Sequence, residues 1–281
     1  MLEKIETIGR LRAWRFGEPG GRDGTVTLVP TMGALHAGHA ALIDAARRDC
    51  GVVVVSIFVN PLQFNNQDDL ARYPRTLEAD VELCRALGVD VVFAPSAAEV
   101  YPEPPECSVD VGRLADHLCG RFRPGHFRGV ATVVLKLLQM VQPHRAYFGE
   151  KDAQQLAIVT RLAADFNLPI EIVGVPTVRE VDGLALSSRN RHLSAVERYL
   201  APSLYRALEE ARRRILAGER SAAAIAQAAA ETIPQSDTLR LEYLEMVDPA
   251  TMQPVDHITR PVRVAGALWV GSTRLIDNVL V

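Results

Sequence analysis

The chain has 281 residues, enough for one large domain or a main domain with a smaller partner. Hydrophobic residues make up 48% and charged residues 23%, so a sizeable core can lie under an ordinary globular surface. A net charge of -3 offers no extended basic surface for nucleic acid or anionic lipid, and the longest apolar runs, such as residues 51–59, fall far short of the ~20 residues a membrane helix needs.

The opening Met1-Leu2-Glu3-Lys4-Ile5-Glu6 has acidic residues and no apolar h-region, so no secretory signal and a cytoplasmic location are expected. Cys50, Cys84, Cys107 and Cys119 include no CxxC pair and no histidine at zinc-ligand spacing, which predicts reduced, metal-free thiols.

Residues 24–30 are short, β-branched and end at Pro30, the pattern of a buried strand. Residues 31–33 form a loop, and a helical pattern starts near Gly38 through Leu42, Ile43 and Ala46. A second buried strand is expected over 51–59, a helix over 73–87 stopped by Gly88, and a third strand over 89–94. A helix over 130–141, a strand over 145–148, a helix over 153–166 and a strand over 170–175 complete the series. This alternation predicts an α/β fold, a Rossmann-like open parallel sheet with helices on both faces, over residues 1–177. After Pro176 the texture changes, with helices expected over 195–217 and 221–233 and strands over 239–247 and 262–270. These predict a smaller C-terminal α+β domain, residues 178–281, which could close as a lid.

The segment Pro30-Thr31-Met32-Gly33-Ala34-Leu35-His36-Ala37-Gly38-His39 follows the first predicted strand and opens the first predicted helix. In an open parallel sheet, ligands bind at the carboxyl ends of strands near a topological switch point. A helix N-terminus also presents free N–H groups and partial positive charge to a phosphate. His36 and His39 can face one anion, and Gly33 and Gly38 let the backbone approach it with no Cβ in the way.

His36-Ala37-Gly38-His39 resembles the HxGH signature of the nucleotidyltransferase superfamily. With the residues before it, and with Phe58-Val59-Asn60-Pro61-Leu62-Gln63-Phe64, Tyr73-Pro74-Arg75-Thr76, and Arg123-Pro124-Gly125-His126-Phe127-Arg128-Gly129-Val130, the chain resembles the pantoate–β-alanine ligase family. Phe148-Gly149-Glu150-Lys151-Asp152-Ala153-Gln154-Gln155-Leu156 and Asp182-Gly183-Leu184-Ala185-Leu186-Ser187-Ser188-Arg189-Asn190 extend the likeness, in order, to about residue 193.

The resemblance implies two steps: pantoate's carboxylate attacks the α-phosphate of ATP, releasing pyrophosphate, and the amine of β-alanine then takes the pantoyl group from AMP. It also implies Mg2+ with the ATP and a homodimer. A carboxylate is already ionised at neutral pH, so the first step needs charge stabilisation and alignment rather than a general base.

By the resemblance, His36 and His39 hold the phosphates, with His39 the preferred general acid, and Lys151, Ser187, Ser188 and Arg189 clamp them. The last three stand where related synthetases carry a KMSKS-like loop. Nucleotide contacts are expected at Met32, Gly33, Ala34, Leu35, Ala37 and Gly38, at Gly149, Glu150 and Asp152, and at Val178 and Leu186. Pantoate is expected at Asn60, Gln63, Gln155, Met32 and Val130, where amides and apolar walls suit its hydroxyls and dimethyl carbon. Arg123 is a further phosphate candidate, and the role of His126 is open. Asp80 matches an acidic position near the metal in relatives, but Ala79 replaces a second carboxylate, so no metal ligand is assigned. Cys119 stands where relatives have glutamate. The alternatives are another HxGH adenylyltransferase, which would keep AMP in its product, and a non-catalytic nucleotide-binding relative.

Overall fold

The computed structural model describes residues 2–17, 24–49 and 51–281, which leaves Cys50 outside the described residues. The chain forms two compact units. The first comprises Met1–Val111, Arg123–Glu150 and Ile158–Pro176, and the second Gly112–Phe122, Lys151–Ala157 and Thr177–Val281.

In the first unit, six strands form one parallel sheet in the order β1-β4-β3-β2-β5-β6. They are β1 (Glu3–Ile5), β2 (Val26–Thr31), β3 (Val52–Ile57), β4 (Val91–Phe93), β5 (Arg145–Gly149) and β6 (Glu171–Val175). Helices cover both faces, so the central strands are buried nearly throughout rather than alternately. Val29 of β2 and Val53 and Val55 of β3 pack with Leu42, Ile43 and Ala46 of the helix Ala37–Arg48 and with Cys84 of the helix Leu77–Ala86. The alternate residues Leu28 and Val54 are equally buried, and the amphipathic helix His126–Val141 packs against β2. The chain runs outward from β2 through β3 to β4, then returns to β5 on the other side of β2. That reversal makes the carboxyl ends of β2 and β5 the switch point.

Most expected elements are present with trimmed ends, and the differences are local. The helix expected over 73–87 begins at Leu77, because Pro74 holds Tyr73 in an extended conformation. A separate helix, Gln67–Arg72, precedes it. At the N-terminus, β1 and the helix Ile8–Phe16 have no sequence counterpart: three strand residues and a weakly amphipathic helix carry little periodic signal.

In the second unit, β7 (Leu239–Val247), β8 (Arg263–Val270) and β9 (Thr273–Leu280) form an antiparallel sheet in that order. Gly271, at φ +56°, supplies the left-handed position in the tight turn between β8 and β9. Leu204, Ala207, Leu208, Ala211 and Ile215 form one stripe of the helix Ser203–Leu216 and pack with Val264, Leu268, Val270 and Leu275. The single helix expected over 195–217 is two helices, Ala195–Leu200 and Ser203–Leu216, because Pro202 lacks the N–H that would continue the first.

Gly129 marks a tight approach between two elements of the first unit. A Cβ there would lie 2.3 Å from the Leu62 carbonyl oxygen, so the helix His126–Val141 rests directly on the turn Pro61–Gln63. Gly129→Ala is expected to cost about 1–3 kcal/mol of stability through overpacking against backbone. Urea unfolding measures this, and an unchanged midpoint would mean the turn yields freely.

Candidate active site

The chain leaves β2 through two consecutive left-handed residues, Gly33 at φ +81° and Ala34 at φ +50°. Only a backbone held from outside keeps a non-glycine residue such as Ala34 there. Asp80, on the helix Leu77–Ala86 and 3% exposed, supplies that hold. Its Oδ2 accepts from the Ala34 N–H at 2.9 Å and its Oδ1 from the Leu35 N–H at 2.8 Å. The Thr76 hydroxyl donates to Oδ2 at 3.1 Å, and the Gly33 N–H donates to Thr31 Oγ1 at 3.1 Å. The Asp80 charge also adds to burial in pushing the Cys84 thiol up to about 12, so that thiol stays protonated at neutral pH.

The N–H groups of Gly33, Ala34 and Leu35 are thus engaged within the protein ahead of the helix Ala37–Arg48. Asp80 is the functional residue that sequence reasoning undervalued. Its signal was a carboxylate four residues after Thr76 at a helix start, which also describes an ordinary solvated aspartate.

The histidines cap the next helix. The His36 Nδ1 accepts from the Gly38 N–H at 3.1 Å, and the His39 Nδ1 accepts from the His36 N–H at 3.3 Å, a capping box built from two imidazoles. Their rings lie 4.1 Å apart. An accepting Nδ1 needs its lone pair, so the neutral rings carry their protons on Nε2, the nitrogen suited to donating to an anion. Both rings are half-buried, which favours charge-assisted bonds over solvated ones.

Asn60, Gln63 and Met32 are brought together. Asn60 is 1% exposed and donates through Nδ2 to Gln63 Oε1 at 3.0 Å and to the Gly129 carbonyl at 3.1 Å. Burial pushes the Tyr101 phenol up to about 12, and its hydroxyl donates to Asn60 Oδ1 at 3.1 Å. The Gln63 amide points its Nε2 at Met32 Sδ, 2.9 Å away. His126 Nδ1 donates to the Gln63 carbonyl at 2.7 Å while its Nε2 accepts from Arg123 at 3.0 Å, and Arg123 also donates to that carbonyl at 3.2 Å. His126 and Arg123 therefore brace the Gln63 backbone, a role that their positions in sequence did not reveal. Val130 lies buried on the helix His126–Val141.

Gly149 ends β5 at the switch point, and Glu150 begins the turn Glu150–Asp152. In the second unit, the Lys151 side chain is 18% exposed, with Nζ 3.7 Å from Asp152 Oδ2. Gln155 is half-buried on the helix Ala153–Asp165, whereas its neighbour Gln154 is structural: it accepts from the Cys119 N–H at 3.0 Å and donates to the Leu114 and His117 carbonyls at 2.8 Å. Val178 accepts through its carbonyl from the Leu186 N–H at 3.0 Å, closing a hairpin that leads into Ser187, Ser188 and Arg189. Ser187 caps the turn Ser188–His192 by accepting from the Arg189 N–H at 3.3 Å. Cys119, in the glutamate position, is buried with Sγ 3.2 Å from the Tyr243 hydroxyl and 3.6 Å from Arg274, which pairs with Glu242. Among the described residues, no group of three or more His, Cys, Asp or Glu side chains is arranged to hold a metal ion, and no helix is long and apolar enough to cross a membrane.

An open parallel sheet with two imidazoles capping the helix after its central strand, at the switch point, defines an α/β protein of the HxGH class. The chain belongs to the pantoate-beta-alanine ligase family, whose model matches residues 3–280. It is 57% identical over 265 residues to a bifunctional pantoate ligase/cytidylate kinase of Thermosynechococcus vestitus, covering 91% of this chain and 50% of that protein. The chain thus spans about half the length of the first curated relatives it matches. The crystal structure of a pantothenate synthetase from Thermus thermophilus superimposes with a TM-score of 0.92 at 47% identity, over 99% of this chain and 98% of that one. A pantoate-beta-alanine ligase from Francisella tularensis, complexed with beta-gamma ATP and beta-alanine, gives a TM-score of 0.81 at 35% identity, over 100% of this chain and 98% of that one.

Removing the Asp80 carboxylate leaves two buried amides without an acceptor. Asp80→Ala is expected to cost roughly 1–3 kcal/mol for each, with a parallel loss of turnover. Urea unfolding measures the loss, and an unchanged midpoint would mean that other groups satisfy those amides.

Proposed function

We propose that this chain condenses pantoate with β-alanine, using ATP and a pantoyl-adenylate intermediate and releasing AMP and pyrophosphate. The observation that carries the reading is the imidazole capping box at the switch point, which turns two Nε2–H donors into fixed features of the fold.

In the first step, pantoate's carboxylate attacks the α-phosphorus and pyrophosphate leaves, so negative charge grows on the leaving group. His36 and His39 donate hydrogen bonds to that charge through Nε2 without giving up a proton, and because the cap fixes their rings little reorganisation is needed during the reaction. Lys151, Ser187, Ser188 and Arg189 add donors to the phosphates. The Ser187 oxygen already accepts from the Arg189 N–H, so its hydroxyl proton can be given to a ligand. Gly33, Ala34 and Leu35, with Met32, Ala37, Gly38, Gly149, Glu150, Asp152, Val178 and Leu186, shape the nucleotide's surroundings.

Gln63 receives pantoate. Its Nε2 faces only a thioether, a weak acceptor that a substrate hydroxyl displaces at small cost, while Asn60 holds the other end of the amide. Gln155 offers a second amide, and Met32 and Val130 offer apolar wall. In the second step, the uncharged amine of β-alanine attacks the acyl carbon and AMP departs, its phosphate charge held by the donors that served the first step.

Magnesium would neutralise phosphate charge as part of the ATP complex, and Asp80, already accepting from Ala34, Leu35 and Thr76, would not be among its ligands. A homodimer in the cytoplasm is the assembly and location proposed from the family likeness, and light scattering of the purified chain tests the first.

The deciding assay measures AMP from ATP with pantoate and β-alanine, against a control lacking the amine. AMP formation that needs both, with pantothenate as product, is expected. Pyrophosphate release independent of pantoate would mean another acid, and a product that retains AMP would mean an adenylyltransferase. His39→Ala should lower turnover by about two to three orders of magnitude, equivalent to roughly 2–4 kcal/mol of transition-state stabilisation. Steady-state kinetics check this, and unchanged turnover would remove His39 from the mechanism. Gln63→Ala should raise the KM for pantoate more than that for ATP, and the opposite split would place Gln63 elsewhere.

A further inference from the structure

The C-terminal strand β9 carries two adjacent buried polar residues that the mechanism does not use, Asp277 at 5% exposure and Asn278 at 6%. Each reaches a segment far away in sequence. Asp277 takes the Arg179 guanidinium with both oxygens, at 2.5 and 2.9 Å. Arg179 then donates to the Gly183 carbonyl at 3.0 Å and to the Asn278 carbonyl at 3.3 Å, and its guanidinium lies over the Tyr205 ring, 4.2 Å from the centroid.

These contacts hold the hairpin of residues 178–186, which is closed by the Arg179–Ala185 bridge and by the Glu180 N–H donating to the Leu184 carbonyl at 2.8 Å. Gly183 completes it at φ +91°, where a Cβ would meet the Tyr205 ring at 2.0 Å. Asn278, for its part, donates through Nδ2 to the Lys151 carbonyl at 2.9 Å, and its Oδ1 accepts from Arg263. Burial pushes the Asp277 carboxyl up, against the Arg179 guanidinium and, more weakly, the Lys151 ammonium, which favour its charged form.

A buried ion pair seldom stabilises a fold more than a well-packed apolar pair of the same size would. What the bidentate fork adds is a fixed direction. The segments fixed here are the turn bearing Lys151 and the hairpin that delivers Ser187, Ser188 and Arg189. We propose that Asp277 and Asn278 are positioning residues, which together set the register of the Lys151 turn and the 178–189 segment for the phosphates of ATP. This rests on the nucleotide roles given to those segments above. Neither residue touches substrate, and each acts through main chain or through Arg179.

The test uses the full chain with Asn278→Asp and Asp277→Asn, both close in shape to the originals. Asn278→Asp keeps an acceptor for Arg263 but turns an oxygen toward the Lys151 carbonyl. Calorimetry with α,β-methylene-ATP should show binding roughly five- to tenfold weaker in each variant, the loss of about one buried hydrogen bond, with the KM for pantoate unchanged. Wild-type affinity for the analogue alongside a lowered melting temperature would overturn the proposal, leaving the pair structural only. Parallel weakening of analogue and pantoate would overturn it equally, as general loosening. Should Asp277→Asn not fold, Asn278→Asp and the milder Asn278→Ala decide by the same split. Because the analogue is read by binding, a wild-type chain that binds it yet makes no AMP from pantoate and β-alanine would sink the functional reading alone.

Discussion

The turn between β2 and its following helix buries two backbone amides, those of Ala34 and Leu35, in a conformation that neither helix nor strand can satisfy. Each amide left without an acceptor would cost on the order of a whole hydrogen bond's desolvation. The Asp80 carboxylate meets both at once, and Thr76 shares its second oxygen. Everything downstream in the first unit follows from where that turn ends. It sets the start of the helix Ala37–Arg48, and so the two ring nitrogens that cap it. The capping in turn aims the opposite ring edges. A carboxylate here is thus at once a structural acceptor and the origin of the geometry at the candidate active site.

The same economy of bonds sets the histidines apart from the usual capping residues. Serine or aspartate would cap the helix as well, but would leave no second donor edge. An imidazole accepts with one nitrogen and donates with the other, so a single ring both terminates a helix and faces an anion. The Gln63 amide follows a related logic: one end is held by Asn60, and the other rests on a thioether that competes weakly for it. The backbone beneath is braced by His126 and Arg123 and lies against Gly129.

Much of this was legible in the residues. The β-branched runs of β2 and β3, bounded by proline and glycine, announced central strands, and the histidine pair after the first of them announced the ligand end of the sheet. What could not be read depends on distance along the chain. Asp80 stands 45 and 46 residues from the amides it holds, and in sequence it is one more acid in a helix. Gln154 and Gln155 are indistinguishable as letters, yet only the fold makes the first a brace for residues 114–119. The strand β9 mixes Arg274, Asp277 and Asn278, each paired in the fold, into an apolar pattern, which masks a largely buried strand. Pro202 was visible, but the helical periodicity on both sides of it outweighed the break.

The central claim is that pantoate's carboxylate oxygen, rather than water or a protein group, attacks the α-phosphorus. Turnover of pantoate labelled with oxygen-18 in its carboxylate, followed by mass spectrometry of the AMP, tests this most directly. Attack by the carboxylate predicts one labelled oxygen carried into each AMP. Unlabelled AMP formed together with pantothenate, with the lost label found in pyrophosphate or water instead, would contradict it, because the acyl group could not then have passed through an adenylate.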